Sequence, residues 1–170
     1  MNNMFSKSYI LINKYIKSHK NLEKMVIFME NQSPKPVMWI FYGMILILAL
    51  KKDKRVLICG IIPWADFFAV TKIRNFIDRK RPFEALGFEP IVSHSGGRSC
   101  PSRHASSSVI ITMAVYFVSP FWGIITGIVS FFVCLSRVLT GVHYLTDVLA
   151  ASAISIAVGK ITFFGMFKKK

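Results

Sequence analysis

Five apolar runs separated by short polar or basic connections occupy most of this 170-residue chain, and they leave it few ways to fold. They are Val37 to Leu50, Val56 to about Thr71, Ala105 to Val118, Phe121 to Leu135 and Val148 to Phe164. Hydrophobic residues make up 53% of the sequence, with 15 Phe, too little polar surface for a water-soluble helical protein of this size. The runs predict an all-α fold: one domain over residues 1–170, an integral membrane helical bundle of about five transmembrane helices. Each run is shorter than, or close to, the ~20 residues a helix needs to cross hydrocarbon. The spans must therefore borrow residues from their flanks or sit in thinned lipid.

Ahead of the first run, residues 1–33 mix Lys7, Lys14, Lys17, Lys20 and Lys24 with Phe5, Ile10, Leu11, Ile12 and Ile16. A segment charged that often predicts an amphipathic N-terminal helix, lying on the membrane interface or packed on the rest of the protein. The net charge of +14 calls for an anionic partner. The lysines fall between apolar runs rather than on a polar recognition helix, which argues against nucleic acid and for phospholipid headgroups. Cys59, Cys100 and Cys134 include no close pair, so neither a disulfide nor a zinc site is expected.

Loop charge predicts the orientation. Lys51 to Arg55 and Lys168 to Lys170 are basic and carry no evident site chemistry, which places them in the cytoplasm. Threading the chain from there puts the turn at Ser119 and Pro120 on the same side. The connections from Arg74 to Ser102 and from Ser136 to His143 both emerge on the extracytoplasmic side. Within the first, residues 83–100 are rich in Gly, Ser and Pro. They form either a lid over a site or a plain connector.

Three clusters of arginine and histidine converge on that side. The third runs from Ser136 and Arg137 through Gly141 and His143 to Asp147. Residues four apart share a helical face, so the Asp147 carboxylate can reach the His143 ring. It would fix the tautomer and leave the opposite nitrogen free as a nucleophile. Arg137 can present its fork to a phosphate. The second cluster is Pro101-Ser102-Arg103-His104 ahead of an apolar helix. With Ser102 as N-cap, the first amides make an oxyanion site, and His104 stands within a turn of it as a proton donor. The first cluster, Arg74 to Pro82, reads by itself as a basic belt at the headgroups. Pro82 ends a helix and fixes Arg81 there, which suits an anion clamp. A two-histidine, one-carboxylate metal site from His104, His143 and Asp147 is disfavoured, because neighbouring arginines would repel a divalent ion.

Together the clusters resemble the signature of the type 2 phosphatidic acid phosphatase superfamily, the membrane lipid-phosphate phosphatases. That signature reads Lys, six residues, Arg-Pro; then Pro-Ser-x-His; then Ser-Arg, five residues, His, three residues, Asp. The resemblance covers roughly Lys72 to Ala151. Arg74 stands where the family has Lys, and Arg103 where it usually has Gly. The resemblance implies that His143 attacks phosphorus to give a phosphohistidine, oriented by Asp147. It implies that His104 protonates the leaving group and then activates water. Arg74, Arg81, Ser102, Arg103 and Arg137 would bind the phosphate oxygens, with no metal and no cofactor. The expected enzyme is a multi-pass bacterial membrane phosphatase with its site on the extracytoplasmic face. It resembles the small undecaprenyl-diphosphate phosphatases, with phosphatidylglycerophosphate, phosphatidic acid and lipid A as alternative substrates. The rival of another class is a non-catalytic membrane protein that binds anionic lipid through the same basic patch.

Overall fold

The structure, a computed structural model, describes residues 3–165; Lys168 to Lys170 lie outside the described residues. Among the described residues, eight helices follow one another. They are α1 (Asn3–Ser18), α2 (Lys20–Gln32), α3 (Pro34–Leu50), α4 (Arg55–Ile77), the short α5 (Pro82–Leu86), α6 (Arg103–Val118), α7 (Pro120–Leu139) and α8 (Leu145–Gly159). A π-helical turn, Lys160–Gly165, extends α8. The all-α membrane bundle read from the apolar runs is the fold observed.

Among the described residues, four helical stretches are long and apolar enough to cross a membrane: Lys20–Leu50, Arg55–Ile77, Pro120–Leu139 and Leu145–Gly165. The third apolar run becomes α6, which is shorter and packs against α3, α4, α7 and α8 at the centre of the bundle. The first span starts earlier than the apolar run. Ser33 keeps helical angles, and proline at the first turn of α3 is tolerated because that N–H has no helical partner. So α2 and α3 continue as one rod of 31 residues, about 46 Å long at 1.5 Å per residue. That exceeds a ~30 Å hydrocarbon core, and the α2 end projects beyond it.

Breaks between helices follow from local chemistry. Asp78 closes α4 in the left-handed region (φ 46°), which a short polar side chain tolerates better than most. Pro82 opens α5, and Gly87 closes it at φ 69°. Pro120 opens α7 straight after Ser119. Asp53 stabilises the turn between α3 and α4 by accepting from the Arg55 amide and guanidinium.

Small residues let the central helices approach closely, as lipid-embedded packing requires. A Cβ on Gly123 would lie 2.4 Å from the Tyr116 Cα, so only glycine fits against α6 there. Hydroxyls complete that contact: Thr112 and Ser130 share a hydrogen bond of 2.8 Å, and Ser130 donates to the Ser108 carbonyl at 3.0 Å. Buried Asp66 of α4 accepts from Ser155 of α8 at 2.9 Å and from Ser106 of α6, tying three helices together. From mid-bundle to the Lys51 turn, the core is apolar: Val37, Phe41, Leu48, Ile110, Val115 and Phe163. The other end carries the three clusters.

Candidate active site

Asp147 organises the site. It is fully buried in the first turn of α8. Its Oδ2 accepts from the Tyr144 amide at 2.9 Å, closing the helix N-terminus. Its Oδ1 accepts from Arg79 Nη1 at 2.9 Å. His143 lies before α8 rather than on it, so the helical-face argument for the pair is replaced by a capping geometry. The His143 Nδ1 stands 3.7 Å from Asp147 Oδ2, an ion-pair distance longer than a hydrogen bond. Gly141, at φ 75°, turns the chain between α7 and α8. Its missing Cβ also admits the Phe88 ring, 2.7 Å from where that atom would stand.

The second cluster meets the third directly: the Ser102 amide donates to the Asp147 carbonyl at 3.1 Å. Ser102 holds the N-cap position of α6 but its hydroxyl caps nothing. That Oγ is buried and without a partner. His104, in the first turn of α6, has Arg137, Arg103 and the His143 ring as titratable neighbours. It lines a cavity of about 450 Å³ together with Val37, Met38, Phe67, Ile111 and Val133.

The arginines differ in what holds them. Arg81 donates to the Val142 carbonyl at 3.2 Å. Rather than ending α4, it precedes Pro82 as the N-cap of α5. Arg137, at the end of α7, is ion-paired with Glu30 of α2. The Nε atoms of Arg81 and Arg137 are both buried and unpartnered. Arg74 donates to the Pro101 carbonyl at 3.1 Å and to the Arg98 carbonyl, so its fork straps the long connection to α4. Arg103 is exposed, its guanidinium 5.8 Å from the centre of the Phe67 ring. Every residue singled out in the sequence thus lies at one end of the bundle. Arg74 and Arg103 stand apart from the inner group, one engaged with backbone and the other at the cavity.

Two residues escaped the sequence reading. Arg79 binds Asp147 and Thr146 and lies 3.9 Å over the Tyr144 ring. It follows the end of α4, where no helical periodicity marks it. Glu30 did leave a signal: the buried positions Val26, Glu30, Val37, Phe41 and Leu48 are spaced four, seven, four and seven apart. That is one seam of a helix, with a carboxylate where an apolar residue belongs.

Burial pushes His143 down to about 4; the nearby Asp147 carboxylate opposes that shift, and the Arg81 and Arg74 guanidiniums reinforce it. The imidazole is therefore a free base at neutral pH. Burial also lowers Arg81. A neutral imidazole faces a carboxylate amid cations with unused N–H groups, in a membrane bundle. That composition defines an anion site suited to phosphoryl transfer at a membrane.

The family model described as the PAP2 superfamily matches residues 36–170. The chain belongs to that superfamily, and is accordingly an enzyme acting on lipid phosphates. It is similar to Undecaprenyl-diphosphatase BcrC of Bacillus subtilis (strain 168), with 27% identity over 151 residues, 86% of this chain and 77% of the relative. Two solved structures share the fold. Aquifex aeolicus LpxE has a TM-score of 0.71 at 19% identity, covering 92% of each chain. The first transmembrane PAP2 type phosphatidylglycerolphosphate phosphatase from Bacillus subtilis also scores 0.71, at 20% identity, covering 99% of this chain and 89% of that one.

Proposed function

We propose that this enzyme removes the terminal phosphate of undecaprenyl diphosphate through a phosphohistidine on His143. The Nε2 of His143 forms a bond to phosphorus as the bond from phosphorus to the lipid-side oxygen breaks. His104 gives that oxygen its proton. It then takes a proton from water, whose oxygen attacks phosphorus, breaks the P–N bond and releases phosphate. Asp147, held by Arg79 and the Tyr144 amide, stabilises the positive charge on the His143 ring. Arg81, Arg137 and Ser102 take the phosphate oxygens, with Arg74 and Arg103 at the margins.

The observation that carries this reading is the set of buried polar atoms without partners at Arg81 Nε, Arg137 Nε and Ser102 Oγ. Buried donors are otherwise nearly always satisfied, and a phosphate would satisfy these. Guanidinium groups supply the charge neutralisation that divalent ions supply elsewhere. The apolar cavity at His104 suits a lipid tail. The basic Lys51–Arg55 turn lies at the opposite end of the bundle, which supports a site facing away from the cytoplasm. Similarity to BcrC over most of both chains favours the undecaprenyl substrate; the structural relative named as a phosphatidylglycerolphosphate phosphatase keeps phosphatidylglycerophosphate as the second reading.

The test is phosphate release by detergent-solubilised protein in the presence of a chelator. Undecaprenyl diphosphate, phosphatidylglycerophosphate and lipid A are compared, wild type against His143→Ala. Fastest turnover of undecaprenyl diphosphate, lost in the variant, is expected. Strict magnesium dependence, or equal rates on water-soluble phosphate esters, would count against the proposal.

A further inference from the structure

We propose that Glu30 is a positioning residue of the phosphate site: its carboxylate holds the Arg137 guanidinium ready for the anion. The inference rests on the reading that Arg137 binds phosphate.

Both side chains are only 7% exposed, and they form an ion pair between α2 and the last turn of α7. Val26 of α2 and Leu139 of α7 share an apolar cluster there with Ile16 of α1 and Ile91 of the long connection, and Val26 lies one turn before Glu30 on the same face. Removing two charges from water is costly, and apolar residues of similar volume commonly stabilise a protein as well or better. Packing alone therefore gives no reason for a glutamate in this seam.

The pair makes sense as preorganisation. An arginine side chain carries large rotamer entropy, and the site already crowds several guanidiniums together. A fixed carboxylate removes part of that freedom and offsets the mutual repulsion before substrate arrives. It engages Arg137 through Nη1 and leaves Nε buried and unpartnered. Glu30 precedes the residues 36–170 that match the family. The N-terminal helices would thus contribute to the site as well as cover it. The opposite possibility is that Glu30 is a stand-in anion occupying the phosphate position, and the two make opposite predictions.

The test uses the full-length protein in detergent, with orthovanadate binding by calorimetry and kcat/KM on undecaprenyl diphosphate. Variants are Glu30→Gln, Glu30→Asp, Arg137→Ala and the double Glu30→Gln/Arg137→Ala. Misplacing a binding group by 1 Å can cost on the order of 100-fold. Glu30→Gln is therefore expected to weaken vanadate about tenfold and to lower kcat/KM by about 10–100-fold. In the Arg137→Ala background the same change should add less than about twofold, because the two residues act as a unit. Glu30→Asp should fall between wild type and Glu30→Gln, and serves alone if the latter does not fold. Tighter vanadate binding, unchanged constants, or a full additional loss in the Arg137→Ala background would overturn the inference. A wild type that binds vanadate but hydrolyses no lipid phosphate sinks the proposed reaction while the vanadate comparison still decides the role of Glu30. A wild type that binds no vanadate overturns both.

Discussion

The two ends of the bundle are built from the same helices by opposite rules. Toward the Lys51 turn, α3, α4, α6 and the π-helical turn after α8 meet through Phe41, Leu48, Ile110, Val115 and Phe163. Toward the other end, α4, α6, α7 and the start of α8 bring in Arg74, His104, Arg137 and Asp147. Buried polar atoms are left without partners there. One end is closed by packing, and the other keeps polar groups in reserve. The apolar end is what fixes the helix axes, so that charged groups at the far end hold their places against mutual repulsion. The contrast teaches where stability and chemistry divide along each helix, and substitutions should divide in the same way.

The largest expected effect is at His143. His143→Ala should lower turnover by more than about a thousandfold, with a thermal midpoint in detergent close to that of wild type. A variant that unfolds instead would put His143 in the packing half of the comparison. His104→Ala follows, with a loss of about 10²–10⁴-fold, the usual contribution of a positioned acid or base.

At the other end the signs reverse. Gly123→Ala drives a methyl into the Tyr116 backbone and should destabilise by about 1–3 kcal/mol, as overpacking does. Turnover per folded molecule should hold. A thermal melt beside an active-site titration measures both, and a fall in kcat without loss of stability would blur the division. Back at the site end, Arg74→Lys should destabilise less, by about 1–2 kcal/mol. A single ammonium cannot span the carbonyls of Arg98 and Pro101 that the fork engages. Limited proteolysis of residues 83–100 would report the loosened strap.

The mildest test is acidification. The unfolded chain protonates His143 near 6.5, whereas the buried ring resists down to about 4. The unfolded state therefore binds the proton first. Stability attributable to this residue should fall as pH drops from about 6.5 towards 4, then level off. The gap in thermal midpoint between wild type and His143→Asn, followed across that window, should shift in favour of the variant. A gap that ignores pH would mean His143 is solvated.

The sequence carried a large part of this, for physical reasons. Apolar runs longer than a buried core strand read as helices, and α6 starts within two residues of the run that predicted it. The clusters were legible because His, Arg and Asp are costly beside hydrocarbon, so their spacing stood out. What was not legible depended on packing between distant segments. The continuity of α2 with α3 was hidden by Pro34 and Pro36, which read as breaks but are accommodated in the first turn. The capping geometry of His143 was hidden because a four-residue spacing fits a helix equally well. Arg79 gave no periodic signal, and the contact of Glu30 with Arg137 joins residues more than a hundred positions apart.

The most direct test of the central claim is to quench the enzyme during turnover of undecaprenyl diphosphate at alkaline pH. The site of phosphorylation is then mapped by mass spectrometry. The account predicts a phosphoryl group on the peptide that holds His143, stable in base, labile in acid and absent from His143→Ala. Label on His104, or full turnover by a protein that carries no label and survives His143→Ala, would contradict it.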